Sequence, residues 1–414
     1  MAVGGLQAAN GVAKLAGGGY TVIYQAANEL YNRAYKGTGR PFGSRGFELP
    51  TEQAGVYTHG FPADGSDVPV GDSVQTIRPL VFPKRYMHSI RLTGASMEEL
   101  AKNRKDLSYI ESWTNLNIDG AVAAARKMMN IYLWGTGNGR LATISTGAAS
   151  TTQTVSNNDN TRYLRQNMRV DVVDPTAFTV RNAAALKVTS DNIAGDTTFT
   201  VGTSVSSTTG DFVVIAGGAN KVQTGLGAII DDGTKSSVYF QNVNRTNVPK
   251  YKANLLSGSS LSLSLTLLRR ILGGKLFPQL GSLRRGDFEI WSYESQWSAI
   301  AALGWTLKRF DGKSKSMDIG YTALEWEGIP WVTEVDCPKD EVFFINWKMI
   351  QKFVTKDWGW DETTGAIFNR VPSTTTNVAF TDSFEGYYDV ICNFGCPDPR
   401  QNARIHTLTV PTGY

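Results

Sequence analysis

Between Ser96 and Trp134 the sequence runs SMEELAKNRKDLSYIESWTNLNIDGAVAAARKMMNIYLW, without a proline and with Gly120 as its one glycine. Ser96 followed by Glu99 spells a capping box, which predicts a helix start near Ser96. Met97, Leu100, Leu107, Ile110, Trp113, Leu116, Val122, Ala125, Met129 and Tyr132 recur at helical rather than strand spacing. One unbroken helix over this stretch would be nearly 60 Å long at about 1.5 Å per residue, where an ordinary globular helix has roughly 11–12 residues. The spacing drifts from strict heptads, which argues against a coiled coil. The many charges argue against a membrane span. The expectation is a helix that serves as a backbone for sheets on either side, stopped by Gly135-Thr-Gly-Asn-Gly139. Gly120 is its expected point of bending.

A chain of 414 residues predicts two or three domains, and a 41% apolar fraction with 10 Trp, 16 Tyr and 18 Phe is enough for real cores. The net charge of +4 is small for this length and argues against a dedicated nucleic-acid binder. No long apolar run predicts a membrane span, and the N-terminal residues do not resemble a secretory signal. Cys337, Cys392 and Cys396 are too few for a disulfide framework. With no histidine nearby in sequence they read as small buried hydrophobes rather than metal ligands.

The remaining segments divide by composition. Residues 1–50 form an arm whose helical piece, Tyr24 to Tyr35, docks either on another subunit or on its own domain. Residues 51–83 form a hairpin-like projection. Its flanks GVYTHGF and SVQTIRPLVF read as strands, the second leading into a strand at Lys84–Thr93 and then into the helix. Residues 135–164 are turn-rich. From 165 to 222 charge thins out, and short strands recur at Arg169–Val173, Ala177–Val180, Leu186–Thr189, Thr198–Val201 and Phe212–Ile215, as in a small inserted β domain. Residues 256–350 look α/β. A helix starts at Ser260, a strand at Asp287–Trp291 precedes a helix at Ser295–Leu303, and strands follow at Ile329–Val335 and Glu341–Asn346. Phe384–Asn393 and Ala403–Leu408 read as a final strand pair around Cys396-Pro-Asp-Pro399, pairing with the sheet near Arg85–Leu92.

Catalytic chemistry finds no support. His59, His88 and His406 sit in strand-like contexts, and the nucleophile elbow, zincin and EF-hand spellings are absent. Gly135, Gly137 and Gly139 follow a helix and open a loop, the reverse of a nucleotide-binding fingerprint. Asp231-Asp232 and Glu98-Glu99 read as solvated carboxylates rather than an acid–base pair. Lys102, Arg104, Lys105, Arg126 and Lys127 on the long helix read as a solvated face, with contact to nucleic acid as the alternative. The sequence names no catalytic residue, no cofactor-binding residue, no metal ligand and no cofactor.

The order of parts resembles the major capsid protein of tailed double-stranded DNA bacteriophages, a fold shared with encapsulins and the herpesvirus capsid floor. Trp134-Gly135-Thr-Gly-Asn-Gly139 resembles that family's glycine-rich ending after its spine helix. Gly225-Leu-Gly-Ala-Ile-Ile-Asp231 with Asn244-Arg245 resembles the passage before its axial domain. Gly328-Ile-Pro-Trp331, Asp336-Cys337-Pro338 and Val342-Phe-Phe-Ile-Asn346 resemble its late axial strands. The resemblance implies an α+β fold with an N-terminal arm (1–50), an extended loop (51–83) and a peripheral domain with the spine helix (84–164). It further implies an inserted β-rich domain (165–222), an axial domain (223–380), and C-terminal strands (381–414) that return to the peripheral domain. It implies a non-enzymatic shell subunit of the virion, synthesised and assembled in the bacterial host cytoplasm. Its partners would be itself in pentamers and hexamers, packaged double-stranded DNA contacted non-specifically, and scaffold, portal and decoration proteins, with no membrane. Some relatives crosslink through a lysine on the extended loop. Residues 51–83 contain none, so noncovalent contacts are expected instead. An encapsulin-like nanocompartment is the alternative with the same fold. A hydrolase with a β accessory domain is the alternative from another class.

Overall fold

The computed structural model describes residues 29–43, 46–54, 71, 73–102, 118, 120–156, 161–190, 197–279, 285–307, 324–373 and 379–411. The chain is mixed α+β and divides into two units. One unit comprises Met1–Gly37, Pro83–Ile131 and Lys352–Asn393; the other comprises Thr38–Phe82, Tyr132–Gln351 and Phe394–Tyr414.

The first unit is built on the strand Lys84–Thr93, as the sequence predicts. It pairs antiparallel with Phe380–Gly395 from Lys84↔Cys392 to Thr93↔Ser383. Alternation sends Ile90 and Leu92 inward and Met87 outward, as a strand with one covered face requires. Gln351–Trp360, Phe368–Pro372 and Tyr35–Lys36 complete the sheet. Its core is aromatic. Trp358 stacks on Tyr388 with centroids 5.2 Å apart, and Tyr86 and Trp360 pack edge-on to this pair at 5.9 and 5.3 Å. The segment 352–380, expected in the axial domain, therefore belongs to this unit, because its alternating aromatics fill the core under Phe380–Gly395.

The helix after Lys84–Thr93 runs over Gly94–Lys102, and a second helical run covers Gly120–Trp134. Both ends of the expected long helix are helical, and Gly120, its expected point of bending, opens the second run; residues 103–117 and 119 lie outside the described residues. The start falls earlier than the capping box suggests. Thr93 Oγ1 accepts the Ser96 amide at 3.4 Å, so Thr93 occupies the capping position and Ser96 lies in the first turn. In the second run Val122, Ala125 and Met129 are buried at helical spacing.

The described part of the arm docks on its own unit. Its helix is Glu29–Arg33, and Tyr35 already belongs to a strand. Tyr31 donates to Asp357 at 2.8 Å, Lys352 donates to the Tyr31 carbonyl at 2.9 Å, and the Lys352 ammonium lies 4.1 Å from the Tyr31 ring centre.

The second unit contains two six-stranded sheets. One runs in the order Asn254–Ser257, Ala403–His406, Val342–Ile345, Glu289–Ser292, Ile329–Thr333, Leu324–Trp326. Its core gathers Leu268, Ile271, Phe288, Ile290, Trp331, Phe344 and Ile405, covered in part by the helix Leu265–Ile271. That helix starts later than Ser260. Ser264 caps it by accepting the Leu267 amide at 3.3 Å, whereas Ser259 and Ser260 have left-handed φ of 52° and 58°. The second helix, Glu294–Leu307, extends the expected one at both ends.

The terminal strand corrects the expected topology. Ala403–His406 pairs parallel with Asn254–Ser257 and antiparallel with Val342–Ile345. The strands flanking Cys396-Pro-Asp-Pro399 therefore enter different sheets, and Ala403–His406 does not pair with the sheet built on Lys84–Thr93. The three-residue 3-10 turn Pro399–Gln401, capped by Asp398, redirects the chain.

The other sheet runs in the order Leu186–Lys187, Arg169–Val173, Phe212–Ile215, Arg140–Thr146, Ala149–Val155, Thr198–Ser206. Its first and last strands meet at the bridge Val188↔Val201, and the Thr189 amide donates to the Thr200 carbonyl at 2.9 Å. The sheet thus closes on itself as a barrel. The barrel takes in strands from Arg140 onward, ahead of the β-rich stretch expected from 165, because the Ser/Thr-rich stretch read as turns is a hairpin of two barrel strands. Ala177–Val180 forms only an isolated bridge, Val173↔Val180.

In the projection, Thr51–Ala54 pairs with Gln75–Ile77 and Gly46–Glu48 pairs with Leu80–Val81. The expected single second flank is broken at Arg78-Pro79, where proline has no amide to donate. The flank GVYTHGF lies outside the described residues.

Candidate functional site: a buried charge hub beside the end of the helix Gly120–Trp134

The second unit packs backbone closely where the helix Gly120–Trp134 ends. A Cβ on Gly225 would lie 2.4–2.6 Å from the carbonyl oxygens of Gly135, Leu133 and Tyr132, and one on Gly227 would lie 3.0 Å from those of Trp134 and Gly135. They belong to the last turn of the helix and the residue after it, where the Tyr132 carbonyl also accepts the Gly135 amide at 3.0 Å. The short helix Leu226–Ile229 rests directly against them, which only glycine permits. Gly137 and Gly139 adopt φ of 83° and 86°, and a Cβ on Gly139 would meet the Gly218 carbonyl oxygen at 2.8 Å. The glycine run thus serves close backbone packing at the base of the barrel.

Four residues beyond Gly227, Asp231 is fully buried and holds the centre of an ion network. Its Oδ2 accepts the amides of Gly233 and Ser236 at 2.9 and 3.0 Å, the Ser236 hydroxyl at 2.7 Å and Arg245 Nη1 at 3.4 Å. Its Oδ1 accepts Arg404 Nη2 at 3.1 Å. Arg245 also donates to the Ala228 carbonyl at 2.6 Å, and Arg404 to the Gly227 carbonyl and Glu341, each at 3.4 Å. The hub therefore binds the glycine helix, the loop that follows it, the short strand Val243–Asn244 with its neighbour Arg245, and the terminal strand. Burial pushes the Asp231 carboxyl up, but the Ser236 hydroxyl, Arg404 and the two amides outweigh it and hold it below the usual carboxylate range. Burial lowers Arg245 and raises Glu341. His406, two residues after Arg404, is pushed down to about 4 by burial, with Lys235 and Arg404 adding to the effect.

The first unit has its own hub. Asp389 is buried and receives Arg85, with Nη2 at 2.6 Å, and Lys356, while Arg85 also reaches Asp361 at 2.9 Å. Asp231 is held by cations and amides and Asp389 by two cations, and both carboxylates tie separate backbone segments together.

The structure scatters the residues weighed for chemistry. His59 lies outside the described residues; His88 is in the first unit and His406 in the second. Cys337, Cys392 and Cys396 are buried and in no disulfide, and burial pushes the Cys392 thiol up to about 12. Among the described residues no group of three His, Cys, Asp or Glu is placed to hold a metal. Asp231 is structural rather than solvated, while Glu98 and Glu99 are exposed. Lys102 and Lys127 are exposed but Arg126 is buried, so the basic helix face is narrower than the sequence suggests; Arg104 and Lys105 lie outside the described residues. Sequence reasoning did not single out Arg404 and Glu341. The available signal was a charged residue, Arg404, inside the apolar strand Ala403–His406.

No protein-family model and no curated protein matches the chain. Among solved structures, a chain of the cyanophage A-1(L) capsid asymmetric unit aligns with a TM-score of 0.53 at 12% identity, covering 93% of this chain and 92% of that one. A chain from the capsid of the empty GTA particle aligns at a TM-score of 0.45 with 10% identity over 92% and 90% of the two chains. One from Mycobacterium phage Adephagia aligns at 0.44 with 8% identity over 92% and 89%. The fold assignment rests on the first: this chain shares its fold, nearly end to end, with a chain of a phage capsid.

Proposed function

We propose that this chain is the major capsid protein of a tailed double-stranded DNA phage, a structural subunit that assembles with itself into an icosahedral shell. The observation that carries the reading is the alignment with the cyanophage capsid chain over 93% of this sequence, which includes both units and leaves no large segment to serve another activity. The order of sequence motifs supports it independently, since the helix, the glycine run and the Gly225–Asp231 passage follow one another as in that family. The two hubs suit a non-enzymatic role, in which rigid units carry load between neighbours. In this reading the subunits gather in pentamers and hexamers, the shell encloses DNA contacted without sequence preference, and scaffold, portal and decoration proteins are further partners. The protein is made and assembled in the host cytoplasm and ends in the virion. Expression of the full chain, followed by sedimentation and negative-stain microscopy, tests this. Closed particles sedimenting far ahead of the single subunit support it; a species that stays monomeric across salt, pH and crowding conditions contradicts it.

A further inference from the structure

The barrel carries a like-charge pair on its outside. The register of its strands Arg169–Val173 and Leu186–Lys187 sets Arg169 directly opposite Lys187. Val170 and Leu186, next in the ladder, are buried, so alternation turns Arg169 and Lys187 outward, and both are exposed. Like charges directly opposite on a sheet repel, and among the described residues neither cation has an acidic partner. Exposed Arg165 adds a third cation at the turn that enters this row, where the Met168 amide donates to its carbonyl at 3.1 Å and Gln166 donates across to the Thr189 carbonyl at 3.2 Å. The projection has the opposite character. Residues 51–83 hold Glu52, Asp64, Asp67 and Asp72 against one cation, Arg78, and Arg78 is paired outside them, with Glu48 at 3.3 Å. The described strands of the projection, Thr51–Ala54 and Gln75–Ile77, form a two-stranded sheet of their own, with Ser73, Val74, Gln75 and Thr76 exposed. A ribbon of two strands is marginal in water without a surface to lean on.

We propose that the outer face of the barrel at Arg169 and Lys187 is a docking surface for the acidic segment 64–72 of the projection from a second copy of this chain. The inference rests on the reading of the chain as a shell subunit that meets its own copies. Carboxylates seated beside the two cations turn their repulsion into attraction, and the contact needs no lysine from the projection. It is electrostatic, so it speeds and orients the encounter and weakens with salt. The acidic segment fits better than duplex DNA, because its carboxylates lack cations of their own within 51–83, whereas a nucleic-acid surface needs basic residues clustered over a wider face.

Disulfide trapping between full-length chains reads the contact. One chain carries Ser66→Cys on the projection, and the other carries Ala185→Cys, at an exposed position two residues before Lys187; the native cysteines are buried. Mixed under mild oxidation, the two are expected to give a linked pair of chains, faster at low salt than at high salt. Arg169→Glu with Lys187→Glu in the second chain is expected to slow linkage about ten-fold or more, and Asp64→Lys with Asp67→Lys in the first to restore it. Lys187→Glu alone removes the repulsion, so its urea midpoint should not fall, which separates lost docking from lost folding. Closed particles without linkage overturn the inference and leave the shell reading standing. Linkage without particles supports the inference and counts against the shell reading. Linkage that charge reversal does not slow, linkage only within a single chain carrying both cysteines, or unchanged linkage with weakened binding of a short DNA duplex would each overturn the inference.

Discussion

Gly225 leaves no room for a side chain against the backbone it packs on. Gly225→Ala would push a methyl group into three carbonyl oxygens of the helix end, and about 1–3 kcal/mol of stability should be lost, read as a shift in the urea midpoint without a change in slope. Asp231→Asn strands two buried arginines, Arg245 and Arg404, and should cost about 3–5 kcal/mol by the same measurement. The residue types at these places were legible in the sequence: a Gly-x-Gly before an apolar turn, an aspartate after it, an arginine further on. Their partners were not. Asp231 and Arg404 are 173 positions apart and in contact only through sheet topology, and no local pattern encodes that pairing. Asp231-Asp232 read as solvated because adjacent carboxylates usually are; only the fold turns one of them inward.

Elements were legible where periodicity and punctuation agreed. Lys84–Thr93 has the bounds that its alternation predicts, and Arg169–Val173 and Phe212–Ile215 those that their flanking turn signals predict. Arg140–Thr146 and Ala149–Val155 were missed because threonine and serine signal turns as readily as half-exposed strands. Helix starts slipped because the cap is set by which hydroxyl reaches the orphan amides, Thr93 rather than Ser96 and Ser264 rather than Ser260. Ser264→Ala should therefore destabilise the helix Leu265–Ile271 by about 1 kcal/mol, whereas Ser260→Gly, which relieves a left-handed residue, should not destabilise the protein. Thermal or urea unfolding of the two variants side by side distinguishes them.

For the molecule as a whole, the class of fold was legible in the order of its parts, while the connection of its end was not. A strand of four residues, Ala403–His406, carries no mark of which sheet it joins, and pairing with Asn254–Ser257 is decided by the core that Ala403 and Ile405 complete. The projection at residues 51–83 has no lysine, so assembled particles should dissolve to single chains on a denaturing gel, with no covalent ladder. The central claim is that this chain builds a closed shell from copies of one subunit. Cryo-electron microscopy of assembled particles tests it most directly. The account predicts icosahedral symmetry, with density in each subunit for the Lys84–Thr93/Phe380–Gly395 pair, the helix Gly120–Trp134 and the closed barrel from Arg140 to Ile215. Particles without closed symmetry, or symmetric particles whose subunit density fits none of these elements, would contradict it.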